Sequence, residues 1–429
     1  MLRTLFAFLV AGLGFSWMLS PAWGACQTTP AGALTFNDAL LRVDCHPMVR
    51  STDLQLRATQ ADERIAGQAP NPTLTLGANS LSRQGYGGGG LMNKTFDHQL
   101  RVDQLIERGG KRDLRMQGAQ LQTQAAVSDT RQARLAARAD IAAAYLDAYT
   151  ARARVEALTQ FAEFSARSLA LTETRVRLGD APALDLARLR LDDSRLKADL
   201  GQARADAKAA LLQLALLLYW PQGVPLLESA SPWPMAQTWA PESADVQALL
   251  ERRPDVRAAS ARRAVAERAR DLAMAQRSRD ISVGVQADRY PTSLANPSGN
   301  GNTVSLTLSV PLFLAHAYEG EIARGLADLE SALEQERQTR EAARAQIEQS
   351  LAQLQASATR RRLAIEELEP SAQKLADGAE LAYARGGISM LELLEARRNL
   401  RAARLERLAA EAEWAKAYLQ WQSMDANNL

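Results

Sequence analysis

Two carboxylates near the C-terminal end of the chain are the clearest candidates for a functional site. Glu392 and Glu395 are three positions apart in a helical stretch of sequence, so they fall on one face of the helix about one turn apart. An acidic pair of this kind attracts cations and repels other acidic groups. The same charges would suit the solvated flank of a coiled coil, and the residues alone leave both interpretations open.

Catalytic and metal chemistry have little support elsewhere in the chain. The only His and Cys residues are widely scattered, so they do not build a Cys/His metal cage; they are His46, His98, His316, Cys26 and Cys45. The sequence contains no Ser-His-Asp arrangement, phosphate-binding loop or CxxC motif. We therefore expect no enzyme, no bound metal and no cofactor.

The charge balance argues against a nucleic-acid partner. The 429 residues include 51 Lys and Arg against 49 Asp and Glu, which gives a net charge of +2. No excess of cationic side chains is therefore available for phosphates. Hydrophobic residues make up 47% of the chain but aromatic residues only 5%. This composition is typical of long helices that pack along narrow seams.

The first 24 residues have the pattern of a secretory signal peptide. Arg3 precedes an apolar run over 5–19, and a small-x-small pattern at 22–24 predicts cleavage before Ala25. An uncleaved anchor is the alternative, but the run is short for a membrane span. Cys26 would then be lipid-modified, form a disulfide with Cys45 in an oxidising compartment, or stay free.

The rest of the chain has the pattern of two tandem repeats. Pro47 and Pro254 follow similar Leu-Leu stretches at an offset of 207 positions (254 minus 47), and the same offset relates 74–79 to 281–286. A shared register of this kind predicts a tandem duplication. We expect a first repeat at 25–219, a Pro/Trp-rich linker at 220–241, a second repeat at 242–424 and a tail at 425–429.

Each repeat is predicted to hold a helix, two strands, a very long helix, a turn and a closing helix. The opening helices are expected at 36–69 and 243–278, and the first long helix at about 110–177, which is ~100 Å at ~1.5 Å per residue. The second long helix has apolar residues at 4/3 spacing, as in a coiled coil. Pro370 should bend that helix.

The four predicted strands alternate apolar and polar residues with a period of two. Four strands are too few to close a barrel, and an open sheet in lipid would leave unpaired edges. The strands therefore either form a sheet packed on helices in water, or several chains pool them in an outer membrane. The signal peptide and the alternation favour pooling, with a helical tube that continues from the barrel.

Together these features resemble the TolC family of outer-membrane factors. The resemblance rests on the duplicated opening helix, on Pro311-Leu312-Phe313 after a strand, and on the turns that begin at Gly179 and Gly386. Residues 104–112 are similar to a stretch of the CzcC-type branch, which serves heavy-metal export. The implied fold is mainly α with a small β part. It is a homotrimer with a shared 12-stranded outer-membrane β-barrel, four strands per chain, and a long periplasmic α-helical coiled-coil tunnel.

The resemblance implies the passive exit duct of a tripartite efflux pump, in the outer membrane of a Gram-negative bacterium and with a large periplasmic part. The expected partners are a periplasmic adaptor (membrane fusion) protein, an inner-membrane RND-type transporter and outer-membrane lipid. Heavy-metal cations are the cargo that the branch suggests. The alternative is a periplasmic coiled-coil structural or adaptor protein without a membrane barrel. It is disfavoured because adaptors usually carry one helical hairpin, whereas this chain has two.

The resemblance also implies two periplasmic tips that meet the adaptor. Glycine permits the sharp reversal that such a tip requires. The implied docking residues are Arg177, Gly179, Asp180, Arg385, Gly386 and Gly387.

The last implied site is the periplasmic aperture. In a trimer, Glu392 and Glu395 would form stacked acidic rings that favour cations and bias the opening. Asp185 is the first-copy counterpart of Glu392, and Tyr383 matches a gate-bonding position of the family. The chain departs from the family pattern at Ile388, where a basic residue is expected, and at Arg188, which replaces the second acid of the first copy.

Overall fold

The computed structural model describes residues 33–79, 96–220, 223, 225–228, 245–290 and 301–424. These residues are mostly helical and include one small antiparallel sheet, which confirms the predicted fold class. The predicted signal peptide, Cys26, most of the linker and the tail lie outside the described residues. The two halves have the same order of elements, whereas the duplication itself stays a prediction.

The α-helices and strands described in the first half are α1 Phe36–Leu41, α2 Pro47–Ala66, β1 Thr73–Asn79, β2 Asp97–Ile106, α3 Lys111–Arg177 and α4 Ala183–Leu217, and a short 3-10 helix, Val43–Cys45, lies between α1 and α2. Those described in the second half are α5 Val246–Arg252, α6 Pro254–Ala275, β3 Ile281–Tyr290, β4 Gly301–Ser309, α7 Glu319–Leu363, α8 Glu369–Ala384 and α9 Met390–Gln422. Among the described helices, none combines the length and the apolar character that crossing a bilayer requires.

The prediction of one continuous opening helix in each repeat was wrong. In each half a proline starts a second helix, Pro47 in α2 and Pro254 in α6. The residues before them, His46 and Arg253, are extended, with ψ of 131° and 129°. The proline ring clashes with a helical residue before it, so no helix runs through into α2 or α6. In the first half α1 already ends at Leu41, before the 3-10 helix Val43–Cys45.

The second long helix is interrupted at the predicted place. Ala364–Leu368 form a π-helical segment between α7 and α8, immediately before Pro370. Proline lacks the N–H of a regular turn, and its ring clashes with the carbonyl group four residues earlier. A wider turn at this point accommodates both effects.

The π-helical segment also shifts the buried face of the helix. Ile347 and Leu354 of α7 are fully buried, as the 4/3 pattern predicts, and Ser357, Ala364 and Ala372 are the buried positions that follow. The step from 364 to 372 is one residue longer than a heptad, as one inserted residue requires. Beyond the segment the predicted seam is right at Ala372 but wrong at Leu375, which is 52% exposed, and Ala376 is buried in its place. Leu368, the last residue of the segment, is 45% exposed.

The chain forms two compact units. One contains the described parts of 1–50, 136–241 and 352–421, and the other those of 51–135, 242–351 and 422–429. In the first unit the apolar core is divided into small clusters along the helices. One cluster surrounds Tyr145, whose hydroxyl donates to the Leu34 carbonyl at 3.2 Å. Burial raises the pKa of Tyr145 to about 12.

The second unit contains the sheet. Its strand order is β1-β2-β3-β4, and every neighbouring pair is antiparallel. The central pair β2–β3 joins the two halves of the chain, with Val102 opposite Val285. Strands β1 and β4 are the edges of this sheet.

Candidate functional site

The two hairpin turns have the same backbone geometry. At the end of α3, Gly179 has a φ of +77°. Its N–H donates to the Val176 carbonyl at 3.1 Å, and the Asp180 N–H donates to the Arg175 carbonyl at 2.8 Å. This pair of bonds defines a Schellman turn, in which a left-handed residue ends the helix.

The turn after α8 repeats this arrangement. Gly386 has a φ of +74°. Its N–H donates to the Tyr383 carbonyl at 3.0 Å, and the Gly387 N–H donates to the Ala382 carbonyl at 2.8 Å. Both glycines therefore meet the conformational requirement that the sequence suggested. All six predicted tip residues are exposed: Arg177, Gly179, Asp180, Arg385, Gly386 and Gly387.

Arg175 is a tip residue that the sequence did not single out. Its Nε lies 3.0 Å from Asp180 Oδ2, across the first turn. The pKa of Arg175 is raised, first by the hydrogen bond and charge of Asp180 and then by the phenol of Tyr383. Tyr383 of the second hairpin therefore lies beside the first turn. The guanidinium group that the phenol meets comes from α3 rather than from position 388.

Ile388, which stands where a basic residue was expected, has apolar neighbours. It packs with Tyr383 against a cluster of buried side chains from α4 and α9, namely Leu189, Met390, Leu393 and Leu394. The half-buried isoleucine covers the apolar side of this cluster. The cluster also places the first turns of α4 and α9 side by side.

Glu392 caps the helix in which it lies. The Ser389 N–H donates to Glu392 Oε2 at 2.7 Å, the Ser389 hydroxyl donates to the same oxygen at 2.9 Å, and the Glu392 N–H donates to Ser389 Oγ at 3.3 Å. This reciprocal pattern is a capping box. The backbone hydrogen bond from Ser389 is the main cause that lowers the pKa of Glu392.

The acidic pair keeps its exposure despite this cap. Glu392 and Glu395 are both exposed. The sequence interpretation missed the cap, although Ser389 followed three residues later by Glu is its signature. Asp185, the counterpart in the first copy, lies in the first turn of α4 and pairs with Arg188 at 3.4 Å. The arginine that replaces the second acid therefore offsets the charge of the first.

The two faces of the sheet differ in polarity. The register places Val102 beside Leu74 and Val285, and their side chains belong to a largely exposed apolar face. The large apolar side chains on this face that are exposed are Leu74, Leu76, Leu100, Val102, Ile106, Val285, Val304, Leu306 and Leu308.

The opposite face carries polar side chains that satisfy one another. Arg101 Nη2 lies 2.8 Å from Asp103 Oδ1. On the neighbouring strand, the Gln286 amide donates to both Asp288 carboxylate oxygens at 2.9 and 3.0 Å. An exposed apolar face opposite a hydrogen-bonded polar face is what a sheet between lipid and water requires.

The stretch 104–112 forms a corner between β2 and α3. Lys111 is buried, and its Nζ donates to both Asp280 carboxylate oxygens at 2.9 Å and to the Ser278 carbonyl at 2.7 Å. Arg112 donates to the Gly67 carbonyl at 2.8 Å. These bonds join the start of α3 to the start of β3 and to the end of α2.

The backbone of Gly109 approaches Ser278 closely in this corner. Its φ is +75°, and a Cβ at this position would lie 2.5 Å from the Cβ of Ser278. No residue other than glycine fits there without movement of the backbone. The motif that the sequence linked to heavy-metal export thus has a structural role at the corner.

Neither a metal site nor a free thiol is found in the described part of the chain. Within it, no group of three or more His, Cys, Asp and Glu side chains is arranged to hold a metal ion. Cys45 is buried and disulfide-bonded. Its predicted partner Cys26 lies outside the described residues, so that pairing stays a prediction.

Comparison with known proteins identifies the family. The family model described as outer membrane efflux protein matches residues 43–218 and 246–426, which is most of the chain. The chain is 24% identical over 417 residues to the cobalt-zinc-cadmium resistance protein CzcC of Cupriavidus metallidurans, covering 94% of each. It is 28% identical to the pyoverdine export outer membrane protein OpmQ of Pseudomonas aeruginosa, covering 90% of this chain and 85% of that protein.

A solved structure shows the same fold. The chain aligns with the transmembrane channel protein CusC with a TM-score of 0.77 at 18% identity, covering 92% of this chain and 94% of CusC. The family match over both halves, the one-sided sheet and the paired hairpins agree. The chain belongs to the outer membrane efflux protein family, and it is an efflux channel of the Gram-negative outer membrane.

Proposed function

We propose that the protein works as a homotrimer and forms the exit duct of a tripartite pump that removes heavy-metal cations. The one-sided sheet is the observation that carries this proposal. Conduction through such a duct is passive, so the energy for export comes from the partner transporter in the inner membrane.

The need for several copies follows from the sheet. Strands β1 and β4 have unpaired outer edges in a single chain, and unpaired backbone groups in lipid cost several kcal/mol each. Three copies of four strands close a barrel of 12, with the apolar face toward lipid and the polar face toward the lumen.

The exposed tips support docking of a periplasmic adaptor protein. The six tip residues are solvent-facing, and the two Schellman turns hold them in a fixed backbone geometry. A preorganised turn loses little conformational entropy when a partner binds. The partner is expected to connect the duct to an RND-type transporter.

The acidic pair supports a cation-favouring aperture. In a threefold assembly Glu392 and Glu395 would form two rings separated by one helical turn. Such rings raise the local concentration of cations and lower that of anions. Asp185 contributes less to the field because Arg188 neutralises it. Tyr383 beside Arg175 is the contact that would keep the two hairpins together when the aperture is narrow.

The proposed cargo rests on the similarity to CzcC. CzcC is a cobalt-zinc-cadmium resistance protein, whereas OpmQ is a pyoverdine export protein. Deletion of the gene should lower the tolerance of the cells to cobalt, zinc or cadmium and leave siderophore secretion unchanged. Unchanged metal tolerance together with loss of a secreted siderophore would overturn the metal assignment.

Crosslinking tests the trimer. A cysteine is placed in β1, for example by Thr75→Cys, and a second at successive positions of β4 in the same chain. Oxidation of outer membranes should yield a ladder that ends at three chains, and Thr75→Cys alone should yield no ladder. A ladder that ends at dimers, or a protein recovered without detergent, would exclude the shared barrel.

A further inference from the structure

A small cavity lies among α3, α4 and α9, within a single compact unit. Its volume is about 30 Å³, and its walls include three arginine side chains, Arg397, Arg398 and Arg401. We call it the arginine cavity. One water requires ~10–15 Å³, so the cavity has room for a monatomic ion or one to two waters but not for a carboxylate or a phosphate.

The first indication of a ligand is an unsatisfied hydroxyl. Ser165 lines the cavity and is only 8% exposed, and its Oγ has no hydrogen-bond partner among the described residues. A buried hydroxyl without a partner costs ~1–3 kcal/mol. A particle in the cavity that accepts a hydrogen bond from this group would remove the penalty.

The second indication is the charge of the walls. Asp192 is the one carboxylate among the described lining residues, and it accepts a hydrogen bond from Arg398 Nε at 2.8 Å. Arg397 is paired outside the cavity, with Glu380 at 3.3 Å. Arg401 has no ion-pair partner within the described part of the chain. Three guanidinium groups against two carboxylates leave one positive charge in excess.

The guanidinium groups are held in place and keep free donors. Arg397 lies with its Cζ 3.8 Å from the centre of the Phe164 ring and donates to Ser168 Oγ at 3.2 Å. A guanidinium group has five N–H donors and no acceptor. The contacts of Arg397 and Arg398 use only some of these donors. The walls therefore carry guanidinium groups with spare N–H donors, the Ser165 hydroxyl and a net positive charge.

We propose that the arginine cavity binds one chloride ion. Excess positive charge, hydrogen-bond donors and a volume for a monatomic particle together select a small monovalent anion over water or a cation. The ion would neutralise the unpaired charge at Arg401 and connect three helices close to the acidic pair of α9. This site is independent of the cargo that the duct conducts.

Bromide replaces chloride and is visible by its anomalous scattering. Crystals of the full chain grown or soaked in bromide should show an anomalous peak within hydrogen-bond distance of Ser165 Oγ. Density for water without an anomalous peak would overturn the proposal. This measurement uses the unaltered protein, so it decides the question even if a variant fails to fold.

Variants test which residues hold the ion. Arg401→Gln removes one charge-assisted hydrogen bond, and we expect about tenfold weaker bromide binding. Ser165→Ala should weaken binding as well, whereas Arg362→Gln, which alters an exposed arginine of α7, should leave it unchanged. At constant ionic strength, the Tm of the unaltered chain should rise with chloride and not with gluconate. A peak that survives both Arg401→Gln and Ser165→Ala would refute the assignment.

Discussion

The ammonium group of Lys111 and the carboxylate of Asp280 lie 2.9 Å apart, although 169 residues separate them in the chain. The pair joins the strand-to-helix corner of the first half to the start of β3 in the second half. Lys111 is buried, with a side-chain exposure of 10%, and Asp280 is 26% exposed. This contact makes the stability of the sheet depend on both halves of the chain.

Lys111→Met should destabilise the protein. The substitution keeps the length of the side chain but leaves Asp280 without its cation. Removal of one partner of a buried pair costs ~3–5 kcal/mol, and the partial exposure of Asp280 reduces this to about 2 kcal/mol. Thermal unfolding in detergent, followed by circular dichroism, measures the effect.

The control for this change is Lys374→Met, at an exposed lysine of α8. It should lower the unfolding temperature by much less than Lys111→Met. Combination of Lys111→Met with Asp280→Asn should cost less than the sum of the two single changes, because both remove the same pair. Strict additivity would contradict a direct interaction.

The Asp280 pair should also give the protein a defined acid sensitivity. Burial alone would raise the pKa of Asp280, but hydrogen bonds from the Arg108 N–H and from Lys111 outweigh burial and hold it below the ordinary 3.8. A carboxyl group with a lowered folded-state pKa stabilises the fold above its unfolded-state pKa, and this contribution is lost as the pH falls through the folded-state value.

The difference in unfolding temperature between the unaltered chain and Asp280→Asn tests this relation. It should be constant from neutral pH down to about pH 5 and should shrink below about pH 4. A difference that already shrinks near neutral pH would show that the pKa is raised rather than lowered.

Gly386→Ala and Gly378→Ala should have opposite effects. Gly386 has a φ of +74° and open space around a potential Cβ, so alanine there costs only backbone strain, ~1–2 kcal/mol. Gly378 lies within α8, also with open space, and alanine there should stabilise the helix by ~0.5–1 kcal/mol. Hydrogen exchange of the tip peptides and the unfolding temperature report both effects. Equal effects of one sign would exclude the left-handed turn.

Removal of the acidic charges should change ion selectivity. Glu392→Gln with Glu395→Gln keeps the capping ability of residue 392, because glutamine also serves in a capping box. In a planar bilayer, the preference for cations over anions should fall by roughly twofold or more, and conductance should rise. The reversal potential in a salt gradient measures the preference.

Two comparisons make this result specific. Asp185→Asn should have a smaller effect on selectivity, since Arg188 already offsets that charge. Glu392→Ala should differ from Glu392→Gln by additional fraying of α9, seen in hydrogen exchange, because alanine cannot cap. Unchanged selectivity in the double glutamine variant would refute the aperture assignment.

Local chemistry explains which parts of the fold the sequence could predict. The alternation of the strands, the glycines at 179 and 386 and the proline at 370 each act on their own neighbours, so their consequences were visible in the sequence. The helix breaks before Pro47 and Pro254 also have a local cause, but the helical pattern continues on both sides of each proline, so one continuous helix was predicted. Likewise, the capping box at Ser389 was readable and was missed because Glu392 was interpreted only as a charge.

The remaining features depend on contacts distant in the chain. The partner of Lys111, the position of Tyr383 beside Arg175 and the arginine cavity combine residues from elements that meet only in the folded unit. The shift of the buried face after the π-helical segment has a different origin. A wider turn changes the register of every later residue, and a fixed heptad pattern cannot anticipate it.

The contact between Gly109 and Ser278 has a consequence for how such a chain evolves. A Cβ at position 109 would lie 2.5 Å from that of Ser278, so any residue other than glycine at 109 has no room unless the segment that carries Ser278 moves. The two positions come from different halves of the polypeptide. Substitutions at this junction in one half are therefore limited by the residues that the other half places against it.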